Sequence, residues 1–176
     1  MIKYNKSNYN KERQYIKNKN KVLYFLPAII VTLIIFALSS RDIDASNSQS
    51  GQITEVVFNI FGSSDEAGAT GGFSGIDFGI LNLYVRALAH VIEFGGLGLM
   101  IILGCFLNKL SSDKYLKITL IWGAAAALLD ETIQYFTPGR TCDILDITKD
   151  MIGILLSLAF VYGIQLLYKK QVIKAS

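Results

Sequence analysis

The chain has 176 residues, of which 52% are hydrophobic, and its formal net charge at pH 7 is +3. This length suits one domain. The apolar residues form long uncharged blocks, which argues against a water-soluble helical bundle, and the remaining sequence leaves no folded basic domain that could bind nucleic acid.

Four apolar blocks, taken in chain order, predict transmembrane helices. They cover residues 22–39, 83–107, 116–136 and 144–168. Each is about 18–25 residues long, enough for an α-helix to cross roughly 30 Å of hydrocarbon. None shows the alternation of barrel strands, and only helices and closed barrels satisfy their backbone in lipid. The sequence therefore predicts an all-α polytopic membrane protein, a bundle of four transmembrane helices.

The first block has a second interpretation, as the core of a signal peptide. Ala37-Leu38-Ser39 loosely resembles a cleavage site. The basic segment before the block, residues 1–21, is long, and the block exceeds the usual length of a signal core. These features favour a retained helix.

Lysine and arginine are concentrated on one side of the predicted membrane. The terminal segments 1–21 and 169–176 and the loop 108–115 are basic, whereas the loop 40–82 carries mainly acids. The positive-inside rule places both termini in the cytoplasm, flanking a transmembrane domain of residues 22–168. Anionic lipids of the inner leaflet are the expected partners of the basic ends.

The long outer loop contains one amphipathic stretch. Its apolar residues recur at helical spacing: Ile53, Val56, Val57, Ile60 and Phe61. This pattern predicts a short amphipathic helix that lies on the outer membrane surface or caps the bundle. The Gly- and Ser-rich stretch 62–79 follows, and it predicts either a lid over an outer site or a plain flexible connection.

Ionisable residues recur at one depth in three of the predicted helices. At about 1.5 Å per residue, His90 lies roughly 10 Å below the outer surface, and Asp130 and Asp150 lie about 9 Å below it. A charge facing lipid would cost about 2.5–3.5 kcal/mol, so these stripes are expected to face the bundle interior. The stripes are Arg86, His90 and Glu93, then Asp130 and Gln134, then Asp143, Asp146 and Asp150.

Acids outnumber bases at this depth. The excess implies shared protons, a bound divalent cation or a hydrated cavity. A purely structural alternative pairs Arg86 and Arg140 with some of the acids. His90, three residues from Glu93, is a candidate base or metal ligand, and a hydrogen-bonded core histidine is the alternative.

Four segments in order resemble the VanZ-like family of membrane proteins. They are FALSSRD (36–42), RALAHVIEF (86–94), DETIQYFTPGR (130–140) and DITKDMIG (146–153). The third is the most specific, and together they span most of the predicted transmembrane domain. The family pattern falls on Arg86, His90, Glu93, Asp130, Glu131, Gln134, Pro138, Gly139, Arg140, Asp146, Asp150 and Gly153.

The chain departs from this pattern at a few positions. Ala87 stands where the family usually has Lys, and Arg41 stands where it usually has Gln. Val91 and Phe94 replace an aromatic residue and a Tyr. The missing lysine removes a cation that could have neutralised the carboxylates, which puts in question any family activity that uses that amine.

The resemblance implies a role at the bacterial cell surface, because the family is named for a protein linked to resistance to glycopeptides, especially teicoplanin. The expected location is the bacterial cytoplasmic membrane, and the expected partner is an outer-leaflet lipid or lipid-linked cell-wall precursor. If the protein is an enzyme, hydrolysis or transfer at a phosphate or acyl group is the expected reaction. The candidate ligand-binding residues are Arg86, Gln134, Arg140, Asp146 and Asp150. The candidates for acid–base chemistry, or for holding a divalent cation, are His90, Glu93, Asp130 and Glu131.

Two other functions fit the same residues. A proton- or ion-coupled carrier would use the buried carboxylates and the histidine as relay groups, although the inner halves of the helices lack a polar path. A non-enzymatic scaffold would use the polar cluster only for folding. Flux that depends on Asp130 would favour the carrier, and variants that lose only thermal stability would favour the scaffold.

Overall fold

The structure, a computed structural model, describes residues 21–61, 77–140 and 142–175. Its regular elements in these ranges are all α-helices. They are α1 (Leu26–Ser39), α2 (Ile43–Phe61), α3 (Phe78–Leu107), α4 (Ser112–Phe136) and α5 (Ile144–Ala175). The predicted all-α class is confirmed.

Helices α3, α4 and α5 extend beyond the apolar blocks that predicted them, whereas α1 begins at Leu26, inside its block. Asp77 caps α3, because its carboxylate accepts the N–H groups of Gly79 and Ile80 at 2.7 and 3.3 Å. As a result α3 starts at Phe78, ahead of the predicted start at residue 83. An apolar block marks the part of a helix that suits lipid, whereas the backbone hydrogen bonds continue through the polar turns on either side.

The predicted outer loop 40–82 contains α2, a longer helix than the amphipathic pattern indicated. A bend of 108° separates it from α1. Ser50 and Thr54 of α2 are buried, while Ile53 and Val56 are exposed. Of the apolar residues on which the prediction rested, Val56 and Ile60 are exposed, Val57 is half-buried, and Ile53 borders a cavity described below. Most of the predicted lid or connection, residues 62–79, lies outside the described residues.

The turn between α4 and α5 packs against the bend between α1 and α2. The Ile43 N–H donates to the Pro138 carbonyl oxygen at 3.4 Å. Gly139 has a φ of +75°, and a Cβ there would lie 2.5 Å from Cγ2 of Ile43. Only glycine fits both the backbone conformation and the space, so this turn fixes the end of α4 beside the end of α1.

Helix α3 packs against each of the other four helices. Its closest neighbour is α5, where a Cβ on Gly153 would meet the Val91 carbonyl oxygen and lie 2.8 Å from the backbone nitrogen of Gly95. The two backbones are therefore in direct contact, as small residues permit between membrane helices. The fully buried apolar residues around this seam are Phe94, Leu97, Ile101, Ala127 and Ile154.

Large apolar side chains cover the outside of the bundle. Ile92 and Ile121, for example, are each 70% exposed. Two helices are long and apolar enough to cross a membrane, α3 and the Ile144–Gln171 part of α5, and the bent α1–α2 pair would make a third. Length and composition thus support two or three of the four predicted spans, and the apolar exterior identifies a membrane protein.

Candidate functional site

The polar residues of four helices meet at one end of the bundle, where α1 and α4 finish and α3 and α5 begin. A cavity of about 140 Å³ lies at this end, between α1, α2, α3 and α4. We call it the polar cavity. Its polar lining consists of Ser39, Arg41, Ser46, Gln49, Ser50, Arg86, His90, Glu93, Gln134 and Arg140.

Asp130 of α4 is 1% exposed and accepts hydrogen bonds on both oxygens. The Ser39 hydroxyl donates to Oδ1, and Nε2 of Gln134 donates to Oδ2 at 2.7 Å. The Ser39 carbonyl oxygen accepts in turn from the Thr137 hydroxyl at 3.3 Å and from Nη1 of Arg140 at 3.4 Å. Ser39 thereby joins the end of α1 to the end of α4.

His90 of α3 and Asp150 of α5 form a buried pair. Nδ1 of His90 lies 2.9 Å from Oδ1 of Asp150, whose side chain is 0% exposed. In the tautomer whose Nδ1–H donates to Asp150, Nε2 carries no proton and can act as a base or a ligand. The second oxygen of Asp150, Oδ2, has no hydrogen-bond partner among the described residues.

His90, Asp130 and Asp150 lie close enough to act together. Each offers one ligand atom, and these three atoms lie within 4.8 Å of one another. We call these residues the His–Asp–Asp cluster. His90 lines the polar cavity, whereas the two aspartates lie buried behind it. In the described part of the chain, this cluster is the group that could hold a metal ion.

Three arginines contribute to the cavity wall, and each donates to a neutral acceptor. Nη1 of Arg41 donates to Oε1 of Gln49 at 2.8 Å, and Nη1 of Arg86 donates to Oδ1 of Asn47 at 3.0 Å. Arg140 donates to the Ser39 carbonyl oxygen. Within the described ranges, none of the three has a carboxylate oxygen within 4.0 Å.

In the purely structural interpretation of the polar residues, Arg86 and Arg140 would form ion pairs with the acids. The described residues contain no such pair. The ion pairs among the described residues are His90 with Asp150 and Lys149 with Asp146. Burial, together with the nearby positive charge of Arg86, lowers the pKa of Arg140. The like charges of Arg86 and Arg140 thus oppose each other, while the carboxylates of Asp130, Asp146 and Glu131 act on Arg140 in the opposite direction.

Most of the predicted site residues meet at the cavity. Arg86, His90, Glu93, Gln134 and Arg140 line it, and Asp130 and Asp150 lie behind His90. Ala87, at the position where the family usually has Lys, is not part of the lining.

Glu131 and Asp146 do not join the cavity lining. Oε2 of Glu131 accepts the Asp143 N–H at 2.8 Å. Glu131 thus holds the segment that precedes α5. It points in a different direction from Asp130 because adjacent residues are about 100° apart around a helix. Asp146 pairs with Lys149 on its own helix.

Several cavity residues were not singled out as site residues from the sequence. Ser39 and Arg41 lie in the segment FALSSRD, whose resemblance to the family pattern was the available signal. Ser46, Gln49 and Ser50 lie on α2, in a stretch whose sequence indicates only a polar part of a loop. Their role depends on the bend that places α2 beside α3.

Comparison with known proteins gives one match. No curated protein and no solved structure matches the chain. The sequence profile of the VanZ/LLP1 family matches residues 24–167, which is most of the chain and includes all four motif segments. The chain belongs to the VanZ/LLP1 family.

Proposed function

We propose that this protein binds the phosphate-bearing headgroup of a cell-envelope lipid or lipid-linked wall precursor, and that it thereby contributes to glycopeptide resistance. The three arginines around one cavity carry this proposal, because none of them has a carboxylate partner among the described residues. Guanidinium groups bind phosphate through paired hydrogen bonds. Bound phosphate would also offset the repulsion between Arg86 and Arg140.

The proposal places the protein in the bacterial cytoplasmic membrane with four spans and both termini in the cytoplasm. Nδ2 of Asn108 donates to the Lys21 carbonyl oxygen at 3.0 Å, so the start of α1 and the α3–α4 turn share one end of the bundle. Basic residues are concentrated at this end: Lys21, Lys109, Lys114, Lys117, Lys169 and Lys170. The positive-inside rule makes it the cytoplasmic end, which puts the polar cavity at the outer leaflet.

Helix α4 supplies the fourth span in this arrangement. Its 25 residues are enough to cross the bilayer. Its polar residues Asp130 and Gln134 lower its average hydropathy, but both are buried in the bundle. The lipid-facing side of α4 carries Ile121, Leu128 and Leu129, which are exposed.

The size of the cavity favours a headgroup over an acyl chain. Its volume of about 140 Å³ is close to that of a cavity of about 150 Å³ that binds benzene, which is room for a phosphate group but not for a long acyl chain. Exposed apolar side chains of α2, such as Val56 and Ile60, lie on the outside of the same end. The acyl chains would remain in the surrounding lipid.

A direct test measures the binding of short-chain phosphatidic acid to the full-length protein in detergent micelles, with diacylglycerol of the same chain length as the phosphate-free comparison. We expect saturable binding of phosphatidic acid alone. Arg86→Gln and Arg140→Gln should each weaken it at least about tenfold. The matched controls Lys109→Gln and Lys114→Gln remove the same charge at the opposite end, so their affinity should stay unchanged.

Three results would contradict headgroup binding at this cavity. The first is equal competition by diacylglycerol in the binding assay. The second is a loss of affinity in the lysine controls as large as that in the arginine variants. The third is a loss of thermal stability in His90→Ala and Asp130→Asn, with all variants at the cavity binding phosphatidic acid as tightly as the wild type. That last result would favour the scaffold.

The resistance role is tested in cells. A susceptible host that expresses the protein should require more teicoplanin for growth inhibition than the same host without it. His90→Ala, Asp130→Asn and Arg140→Gln should each reduce this protection at equal membrane expression. If all three variants protect as well as the wild type, this site has no part in resistance.

A further inference from the structure

We propose that His90, Asp130 and Asp150 bind one divalent transition-metal ion behind the polar cavity, and that Zn²⁺ fits the site best. This inference goes beyond headgroup binding, since it concerns a different ligand and needs no lipid. It rests on the geometry of the His–Asp–Asp cluster, on an unpartnered buried oxygen and on the types of ligand present.

The distances within the cluster require little movement for binding. Zn–N and Zn–O bonds are about 2.0–2.2 Å long, so neighbouring ligand atoms in a tetrahedral site lie about 3.4 Å apart. Nδ1 of His90 and Oδ1 of Asp150 are 2.9 Å apart, and an ion bound by both would take the place of the Nδ1 proton, which is released to solvent. The three ligand atoms lie within 4.8 Å of one another, so the widest separation has to close by at most about 1.4 Å.

The unpartnered oxygen of Asp150 provides a second and independent observation. The side chain is 0% exposed, and its Oδ2 has no hydrogen-bond partner among the described residues. A buried polar atom without a partner is costly, and a buried carboxylate is more so. A cation bound by this carboxylate would remove that cost.

The surroundings of the cluster match a metal site that keeps one position open. Ser39 and Gln134 both donate to Asp130, and such hydrogen bonds orient a metal-binding carboxylate. One imidazole with two carboxylates suits Zn²⁺ better than Mg²⁺, which prefers oxygen ligands alone. His90 also lines the polar cavity, so the fourth position would face the cavity and could take water or a phosphate oxygen.

The chain contains one histidine, which makes the test specific. The full-length protein is purified through an affinity tag that contains no histidine, stripped with a chelator and titrated with ZnCl₂ by calorimetry in lipid nanodiscs. We expect one Zn²⁺ per chain, with binding that millimolar Mg²⁺ does not displace. His90→Ala and Asp150→Asn should each weaken binding at least about tenfold. Glu55→Gln removes an exposed acid from α2, and its affinity should equal that of the wild type.

A spectroscopic measurement covers the case in which the variants fail to fold. Mn²⁺ bound to the wild-type protein should show ¹⁴N coupling in pulsed electron paramagnetic resonance, and the single histidine assigns that signal to His90. Absence of stoichiometric Zn²⁺ binding, Zn²⁺ binding unaffected by His90→Ala in a folded variant, or bound Mn²⁺ without ¹⁴N coupling would each overturn the proposal. Because these measurements use metal alone, their failure is distinguishable from a failure of headgroup binding.

Discussion

Ser39 donates a hydrogen bond to Asp130 although 91 positions separate the two residues in the sequence. Ser39→Ala removes this donor from a buried carboxylate, so we expect a loss of about 1–3 kcal/mol in the free energy of unfolding. Thermal unfolding in detergent measures the change. The adjacent Ser40 is exposed, and its hydroxyl bonds only to the Ala37 carbonyl oxygen. Ser40→Ala should therefore change stability by less than about 0.5 kcal/mol, and equal effects of the two variants would contradict the role of Ser39.

The contact between α3 and α5 leads to a second prediction. Gly153→Ala would place a methyl group against the backbone of α3 at Val91 and Gly95, where no flexible side chain can move aside. We expect a loss of about 1–3 kcal/mol from the resulting separation of the helices. Gly163→Ala on the same helix is the control, since nothing lies within 4 Å of a Cβ there. The prediction fails if the two variants unfold at the same temperature.

The proposed orientation can be checked with the two free cysteines. Cys142 is exposed beside the cavity end of the bundle, and Cys105 is buried. A membrane-impermeant maleimide should therefore label intact cells at Cys142. A chain carrying Cys142→Ser and Lys170→Cys should be labelled only after the cells are permeabilised. Labelling of that chain in intact cells would reverse the orientation.

Glu131 should control the reactivity of Cys142. The Glu131 carboxylate near the thiol raises the pKa of Cys142, which lowers the thiolate fraction at a given pH. Glu131→Gln removes the negative charge, so the pKa should fall and the midpoint of the alkylation rate against pH should move to lower pH. Asp113→Asn, at the far end of α4, should leave that midpoint in place. A midpoint that stays or rises in Glu131→Gln would disprove this contact.

Much of the site could be predicted from the sequence because two properties of each residue agree: its depth along its helix and the face of the helix on which it lies. His90, Asp130 and Asp150 lie at one depth, and each falls on the polar stripe of its helix. Depth and face together are enough to bring three side chains to one place in an antiparallel bundle. Adjacent residues on a helix point in different directions, which is why Asp130 contacts Ser39 and Gln134 whereas Glu131 contacts Asp143.

The part that the sequence did not predict depends on contacts between distant segments. Nothing local shows that α1 bends sharply at residues 40–42 or that α2 turns Ser50 and Thr54 inward. The amphipathic pattern gave a helix but not its orientation, because an apolar face can pack on a bundle or point towards lipid. Arg41 entered the cavity wall through this bend, and its position could not be read from helical spacing.

The close backbone contact between α3 and α5 at Gly95 and Gly153 has a mechanical consequence for the His–Asp–Asp cluster. Backbone contact between α3 and α5 fixes His90 relative to Asp150, because Gly95 and Gly153 leave no side chains between them that could change conformation. Near the cavity, Asp130 is connected to α1 through the side chain of Ser39. We therefore expect a change in bilayer thickness or lateral pressure to move Asp130 more than it moves the His90–Asp150 pair.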